Sequence, residues 1–367
     1  MIELVASKNA ATPVGALLVT VSSLALGNSL ITAAAAEKMA SDRPVVWIEL
    51  GPQLERRDAD DPRFETVFDD ALRAHNFFTP ADVQQAPRYS VGGEARLTLS
   101  PNGSDWSFSA AVRYGRSNGK KHRYDQRRML TFTNPHGGTI HPTLYDRSEA
   151  QVRDNESHAI LDFQAGKDVG LGLFGGQSIV GLGVRFAQFS SRSSMTAYAQ
   201  PYASVRFPPP KYFQHLHYSR YTAHANAARS FHGVGPSILW SGSTPAVKLS
   251  ADTGFAFDWG VNAGVLFGRQ RADGVQSTHE RIVTLLPFPT FNSYRDFSHD
   301  IKRSRSVTVP NVGGSAAVSL DFPNAKLTLG YRADFFFGAM DTGRDAAKRT
   351  TVGFYGPYAT ISIGLGG

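Results

Sequence analysis

Charged side chains recur at alternate positions within stretches that are otherwise apolar or rich in small residues. These stretches have the two-residue repeat of a β-strand, so their charged residues share one face. Both signs are present: Glu94, Arg96, Arg113, Asp162, Arg185, Asp258, Arg332 and Asp334, together with Glu49. Strands closing around a common axis would gather these groups there, where they could select ions or neutralise one another.

Two interpretations of this charged face are open. As the lining of a channel, it would form a charge-selective constriction. As the filling of a narrow barrel, it would form salt bridges, since about eight strands leave just enough room for side chains. A barrel of ten strands would add little space, and a general diffusion porin needs about sixteen strands. The sequence therefore predicts either a narrow pore lined by the charged residues or a closed barrel.

Catalytic chemistry has weaker candidates. A barrel protease would need carboxylates and a histidine at its rim, and Asp69, Asp70 and His75 supply these types only on a predicted helix. A lipase-like site needs an activated serine beside a histidine, but Ser230 and His232 fall on the apolar strand face. We predict no catalytic residues and no cofactor, with a barrel hydrolase as the alternative.

An aromatic and basic stretch between residues 198 and 221 is a candidate surface-binding segment, with the candidates Lys211, Tyr212, Arg220 and Tyr221. Their charges and rings could bind lipopolysaccharide phosphates or a glycan. The same residues could instead form an aromatic girdle at the outer interface. His215 and His217 have the spacing of a metal pair, but no third ligand has a clear spacing, so we predict no metal site.

The element that must position the charged face is clearest at residues 255–268, FAFDWGVNAGVLFG. Its odd positions are all apolar, and its even positions are mostly small or polar, as in a strand with one lipid face. Other stretches continue the pattern, and together they predict a lipid-facing girdle of Trp106, Phe108, Tyr114, Trp240, Phe255, Phe257, Trp259, Phe267, Tyr331 and Phe335.

Ten such segments are predicted as strands, at residues 45–55, 91–99, 106–114, 159–165, 180–186, 233–240, 255–268, 316–320, 327–337 and 355–365. Connections after the second, fourth, sixth and eighth are short, whereas those after the first, third, fifth and seventh are long. This alternation predicts a transmembrane antiparallel up-and-down β-barrel of about ten strands (eight or twelve if one is misread), with short periplasmic turns and long extracellular loops. A soluble β-sandwich has no reason to sort its loops by side.

The N-terminus has the composition of a secretory signal. An apolar run at residues 14–26 precedes the small residues 34–36, so we predict a signal peptide at 1–36 and the barrel at 37–367. A short amphipathic helix is predicted at Phe64–Leu72. There is no cysteine, and the net charge of +7 suits anionic lipopolysaccharide; no segment resembles a nucleic-acid module.

Four of the ten segments resemble the Legionella-type major outer-membrane protein family and its relatives. They are GVRFAQFSSRSS from Gly183, FHGVGPSILW from Phe231, FDWGVNAGVLFGRQ from Phe257 and LTLGYRADFFFGAM from Leu327. The resemblance implies a surface-exposed, porin-like protein of the bacterial outer membrane, in contact with lipids and lipopolysaccharide, and with small solutes or ions if it conducts. Unlike many such barrels, the chain ends in glycine and not in an aromatic residue.

Overall fold

The computed structural model describes residues 46–59, 89–101, 104–119, 122–129, 132–133, 139–140, 145–170, 176–200, 202–206, 215–250, 253–285, 291–343 and 346–365. These residues form strands β1 (Val46–Ala59), β2 (Tyr89–Leu99), β3 (Trp106–Asn118), β4 (His122–Met129), β5 (Phe132–Thr133), β6 (Thr139–Ile140), β7 (Tyr145–Asp168), β8 (Gln177–Gln200), β9 (Tyr202–Arg206), β10 (His215–Lys248), β11 (Gly254–Leu285), β12 (Phe291–Asp321), β13 (Ala325–Asp341) and β14 (Arg349–Leu365).

Ten of the described strands close into a ring. Antiparallel pairing runs from β1 through β2, β3, β7, β8, β10, β11, β12 and β13 to β14, and β14 returns to β1 with Ile48 opposite Ile363. The ten-stranded all-β up-and-down barrel predicted from the alternation is therefore confirmed. Closure pairs every ring strand on both sides, which removes the free edges of an open sheet.

The two ends of the barrel differ. Four short turns join β2 to β3, β7 to β8, β10 to β11 and β12 to β13, and they share one end with Val46 and Leu365. We call this the turn end and the opposite end the loop end. The short turns are confirmed, including the tight one after Asp321, where Phe322 N–H donates to the Ala325 carbonyl at 2.8 Å.

The expected long loops are partly wrong, because much of their sequence continues as strand. β11 and β12 pair without a break from Gly254–Asp321 to Thr284–Phe291, where a loop of about thirty residues was predicted from the sparse apolar pattern. Residues 215–224 likewise belong to β10. The alternation fades there because the side chains on both faces are polar or small. Backbone hydrogen bonds continue the strand, but hydrophobic periodicity no longer reveals it.

Alternation places the two faces of each ring strand in different surroundings. On β13, Leu327, Leu329 and Tyr331 are exposed on the outer wall, whereas the side chain of Asp334 is buried inside. In this part of the strand the polar side chains therefore face the interior and the apolar ones face outward, the reverse of a soluble sandwich.

Several predictions fall outside the described residues, among them the signal peptide at 1–36, the helix at Phe64–Leu72 and the protease candidates Asp69, Asp70 and His75. In the described part of the chain, no helix is long and apolar enough to cross a membrane.

Candidate functional site

The charged residues predicted to share an enclosed axis lie inside the barrel. Glu94, Arg113, Arg185 and Asp334 are all less than a tenth exposed, and Arg96, Asp162, Asp258 and Arg332 are partly exposed around them. They come from β2, β3, β7, β8, β11 and β13, so the closed ring gathers groups that are far apart in sequence.

Arg113 and Arg185 organise the centre of the interior. Arg113 Nη1 donates to Asp334 Oδ2 at 2.6 Å, although 221 positions separate the two residues. Arg185 holds Asp162 through two parallel contacts, Nε to Oδ1 at 2.6 Å and Nη2 to Oδ2 at 3.0 Å. Its Nη1 donates to Asn262 Oδ1 at 2.6 Å, and Asn262 Nδ2 donates to Asp334 Oδ1 at 3.3 Å. These contacts connect five strands into one network.

A second group of contacts surrounds Glu94. Arg96 Nη2 lies 2.8 Å from Glu94 Oε1, and Arg332 Nη1 donates to the other carboxylate oxygen. The Arg332 guanidinium also lies 4.8 Å from the centre of the Tyr358 ring, close enough for a cation–π interaction. Both signs found in the sequence are thus paired across the interior, as expected for the salt-bridged interpretation.

Sequence reasoning missed part of this network. Glu55 is buried, with its carboxylate 3.7 Å from Arg113 Nε and 2.6 Å from His158 Nε2. Arg57 pairs with Glu156 at 2.6 Å nearby. The signal was present, since Glu55 and Arg57 continue the inward positions of β1. Glu55 lay inside the predicted strand but was not included in the charged face, and Arg57 lay beyond the predicted end at residue 55.

An apolar layer lies on the loop-end side of the ion pairs. Phe189, Phe231, Phe336 and Phe354 meet inside the barrel, with ring centres 4.6 Å apart for Phe189 and Phe336 and 5.2 Å for Phe189 and Phe354. Phe231 fits because Gly233 and Gly268 have no side chains beneath its ring, where added Cβ atoms would approach it to 2.6 and 2.8 Å.

Sequence reasoning placed its predicted aromatic positions on the outer face and did not anticipate this layer. The available signal was an odd offset: Phe189 lies three positions after Phe186, so it turns to the opposite face of β8. The layer also includes the fully buried Leu266 and Val309.

A polar cavity of about 290 Å³ remains on the turn-end side of the ion pairs. Its wall carries carboxylates and cations, with Asp258 held by Lys326 at 2.8 Å and Glu49 near Tyr358. A cavity of this size holds several waters or a small polar molecule. In the described residues, no group of three or more potential ligands is arranged to hold a metal ion.

The ten predicted girdle residues lie on the outer wall, where Phe267 is the most exposed of them at 59%. Tyr114 and Trp259 are half-buried by neighbours. Trp240 and Trp259 pack edge to face with centres 5.1 Å apart, and Trp240 Nε1 donates to Ser178 Oγ at 2.8 Å. Both tryptophans lie near the turn end, as an interfacial aromatic belt would require.

The candidate surface-binding residues differ in where they lie. Arg220 is exposed on β10, but Tyr221 is 4% exposed because alternation turns it to the opposite face. Lys211 and Tyr212 lie outside the described residues. Ser230 and His232 share the outer face of β10 two positions apart, as the strand register predicted.

No protein-family model and no curated protein matches the chain. Among solved structures, it is similar to the transport unit of the autotransporter AIDA-I from Escherichia coli, with 7% identity over 95% of this chain and 97% of that one and a TM-score of 0.26. The CymD monoaromatic hydrocarbon channel has 10% identity over 89% of this chain and 90% of that one, with a TM-score of 0.24. Pseudomonas putida OprB has 8% identity, coverage of 87% and 94%, and a TM-score of 0.16.

Scores this low carry no argument about function. The barrel assignment rests on the strand pairing of this chain, and the resemblance to the Legionella-type family stays a prediction.

Proposed function

We propose that the protein is an integral β-barrel of the outer membrane of a Gram-negative bacterium. The apolar outer wall supports this. On β11 it runs from Phe255 to Phe267, about 30 Å along the barrel axis for a rise near 3.3 Å per residue and a tilt near 40°. Contiguous exposed apolar surface is unfavourable in water, and acyl chains would cover it.

We infer further that the lumen is closed. The observation that carries this proposal is the stack of two filled layers inside the ring. Ion pairs around Arg113 and Arg185 connect opposite walls, and the phenylalanine rings around Phe189 fill the next layer towards the loop end. An ion would have to break buried charge pairs and then displace the phenylalanine rings, whose polar neighbour His158 is itself paired with Glu55.

A narrow pore is the second candidate, because the polar cavity beside the ion pairs leaves part of the lumen open. In that case the layer around Phe189 would be a gate, and the cavity would hold ions or small solutes. Such a gate would have to displace four phenylalanine rings.

Conductance separates the two candidates. The full chain, refolded into planar bilayers, is expected to insert and to show no current steps in KCl, with a general porin as the positive control. Heat-modifiable gel migration and protease protection of the same preparation test insertion independently. Stable current steps that rise with salt would overturn the closed lumen and favour the pore. Failure to insert under conditions in which the porin inserts would overturn the membrane assignment.

The proposed partners are outer-membrane lipids and lipopolysaccharide, with solutes or ions only for the pore, and no nucleic acid or cofactor. Catalysis is not part of the proposal. Ser230 and His232 lie on the outer wall, away from the polar cavity inside the barrel. Turnover of a phospholipid or peptide by the inserted protein would revive the hydrolase alternative.

A further inference from the structure

The apolar outer wall ends along a straight border on four neighbouring strands. Residues paired in register form its last row: Leu161 on β7, Phe186 on β8, Val234 on β10 and Phe267 on β11. Phe186, Val234 and Phe267 are exposed on the outer wall, at 37%, 47% and 59%. If the protein spans a membrane, this row marks the loop-end limit of the acyl-chain region.

The next two rows are mostly polar, with Ala159 on β7 as the exception. The first contains Gln188, His232, Arg269 and Ser306, and the second contains Ser190, Ser230, Arg271 and Ser304. We call the outward set Ser190, Ser230, Ser304, Ser306, His232, Arg269 and Arg271 the hydroxyl–arginine patch. Its serine side chains are short and project little from the outer wall. Its two guanidinium groups lie immediately beyond the last apolar row.

The arginines of this patch are suited to bind a phosphate. Arg269 Nε donates to Ser304 Oγ at 2.7 Å, which holds the side chain along the wall and leaves its two terminal amino groups to donate. Within the described chain, neither Arg269 nor Arg271 forms an ion pair, and the acidic groups on this wall, Asp273 and Asp300, lie in the following rows. A planar guanidinium binds phosphate oxygens through two parallel hydrogen bonds.

We propose that the hydroxyl–arginine patch binds the phosphate of a glycolipid in the outer leaflet. The proposal rests on the membrane-spanning function, because it requires acyl chains beside Phe267 and a head group one or two rows above them. The serine hydroxyls are placed to bond sugar hydroxyls or phosphate oxygens, and the positive charge complements the phosphate. A soluble anion would not use the apolar row.

The test uses the refolded full chain in zwitterionic micelles, with diphosphorylated lipid A as the probe and native mass spectrometry as the readout. We expect Arg269→Gln/Arg271→Gln to bind the probe at least tenfold more weakly than the unaltered protein, or about 1.4 kcal/mol. Arg269→Lys/Arg271→Lys should retain part of the binding, because charge remains and bidentate geometry is lost.

The matched control removes an equal number of positive charges from the turn end. Lys167 and Lys248 are exposed at that end, Lys167 on the outer wall and Lys248 at the last position of β10, and Lys167→Gln/Lys248→Gln should bind the probe as the unaltered protein does. Equal weakening in this control would show a general effect of net charge and overturn the patch. Unchanged fluorescence and heat-modifiable migration establish that each variant folds.

Two further arms distinguish the source of the phosphate and the origin of a failure. Dephosphorylated lipid A should bind equally weakly to the unaltered protein and to Arg269→Gln/Arg271→Gln. Inorganic phosphate that competes at the same concentration as the lipid would overturn the lipid assignment. If the protein inserts into bilayers but binds phosphorylated and dephosphorylated lipid A with equal affinity, only the patch proposal fails. If the protein does not insert, the proposed function fails.

Discussion

Removing the central cation should destabilise the barrel far more than removing an exposed one. Arg113 is the residue to replace, because its guanidinium contacts Asp334 at 2.6 Å and lies 3.7 Å from Glu55. Arg113→Met keeps much of the side-chain length and apolar stem but leaves two buried carboxylates without this cation. Asp334 is only 1% exposed, so its carboxylate stays largely desolvated when this partner is lost.

The expected loss in unfolding free energy follows from the burial of this ion pair. Breaking a buried ion pair by removing one partner costs about 3–5 kcal/mol, because the remaining charge stays desolvated. Asp334 retains contacts with Asn262 and, at 4.0 Å, with Arg185, so we expect a value near the lower end of that range. For a urea dependence of about 2 kcal/mol/M, the unfolding midpoint should fall by about 1.5 M. Lys167→Met, at an exposed position, should change stability by less than about 0.5 kcal/mol.

The assay is urea unfolding of the protein in lipid vesicles, followed by tryptophan fluorescence and approached from both directions. High salt should leave the difference between Arg113→Met and the unaltered protein almost unchanged, because buried pairs are little screened. A loss below about 1 kcal/mol, or one that disappears in high salt, would refute the reasoning, since it would mean that water surrounds Arg113 as in an open channel.

Three other substitutions test the remaining parts of the structure. Phe231→Ala should cost about 3–5 kcal/mol in unfolding free energy, because the ring is fully buried, and should leave the protein non-conducting while the ion pairs persist. Gly242→Ala should displace Trp259, whose ring atoms lie 2.8 Å from the added Cβ, and near-ultraviolet circular dichroism should report it with a loss of about 1–3 kcal/mol. Val261→Arg, in the middle of the outer wall, should disfavour membrane folding by about 2–4 kcal/mol, and Thr308→Arg at its border by about 0–1; equal costs would contradict the proposed membrane position.

The local pattern of the chain predicted the fold well. Alternation at residues 255–268 is a property of neighbouring positions, so it separates Phe257 from Asp258 without knowledge of any partner strand. The regular sorting of turns and loops then predicted an antiparallel closed ring. Where alternation stopped, as beyond residue 268 on β11, the prediction ended the strand too early.

The candidate site could be predicted only as a list of inward residues. Which carboxylate pairs with which cation depends on strand stagger around the whole ring, and Arg113 meets Asp334 only because β13 faces β3 across the interior. The aromatic layer was missed for a different reason. The odd offset between Phe186 and Phe189 places them on opposite faces, but the predicted strand ended at residue 186, whereas β8 continues to Gln200.

Local sequence was enough to predict the fold class, the direction in which most side chains of each strand point, and the presence of both charge signs inside. These follow from the two-residue repeat of the strand, which acts over neighbouring residues. The folded barrel was needed to show that the charges neutralise one another beneath a layer of rings. That outcome depends on distances between strands far apart in the chain, and periodicity along one strand carries no information about them.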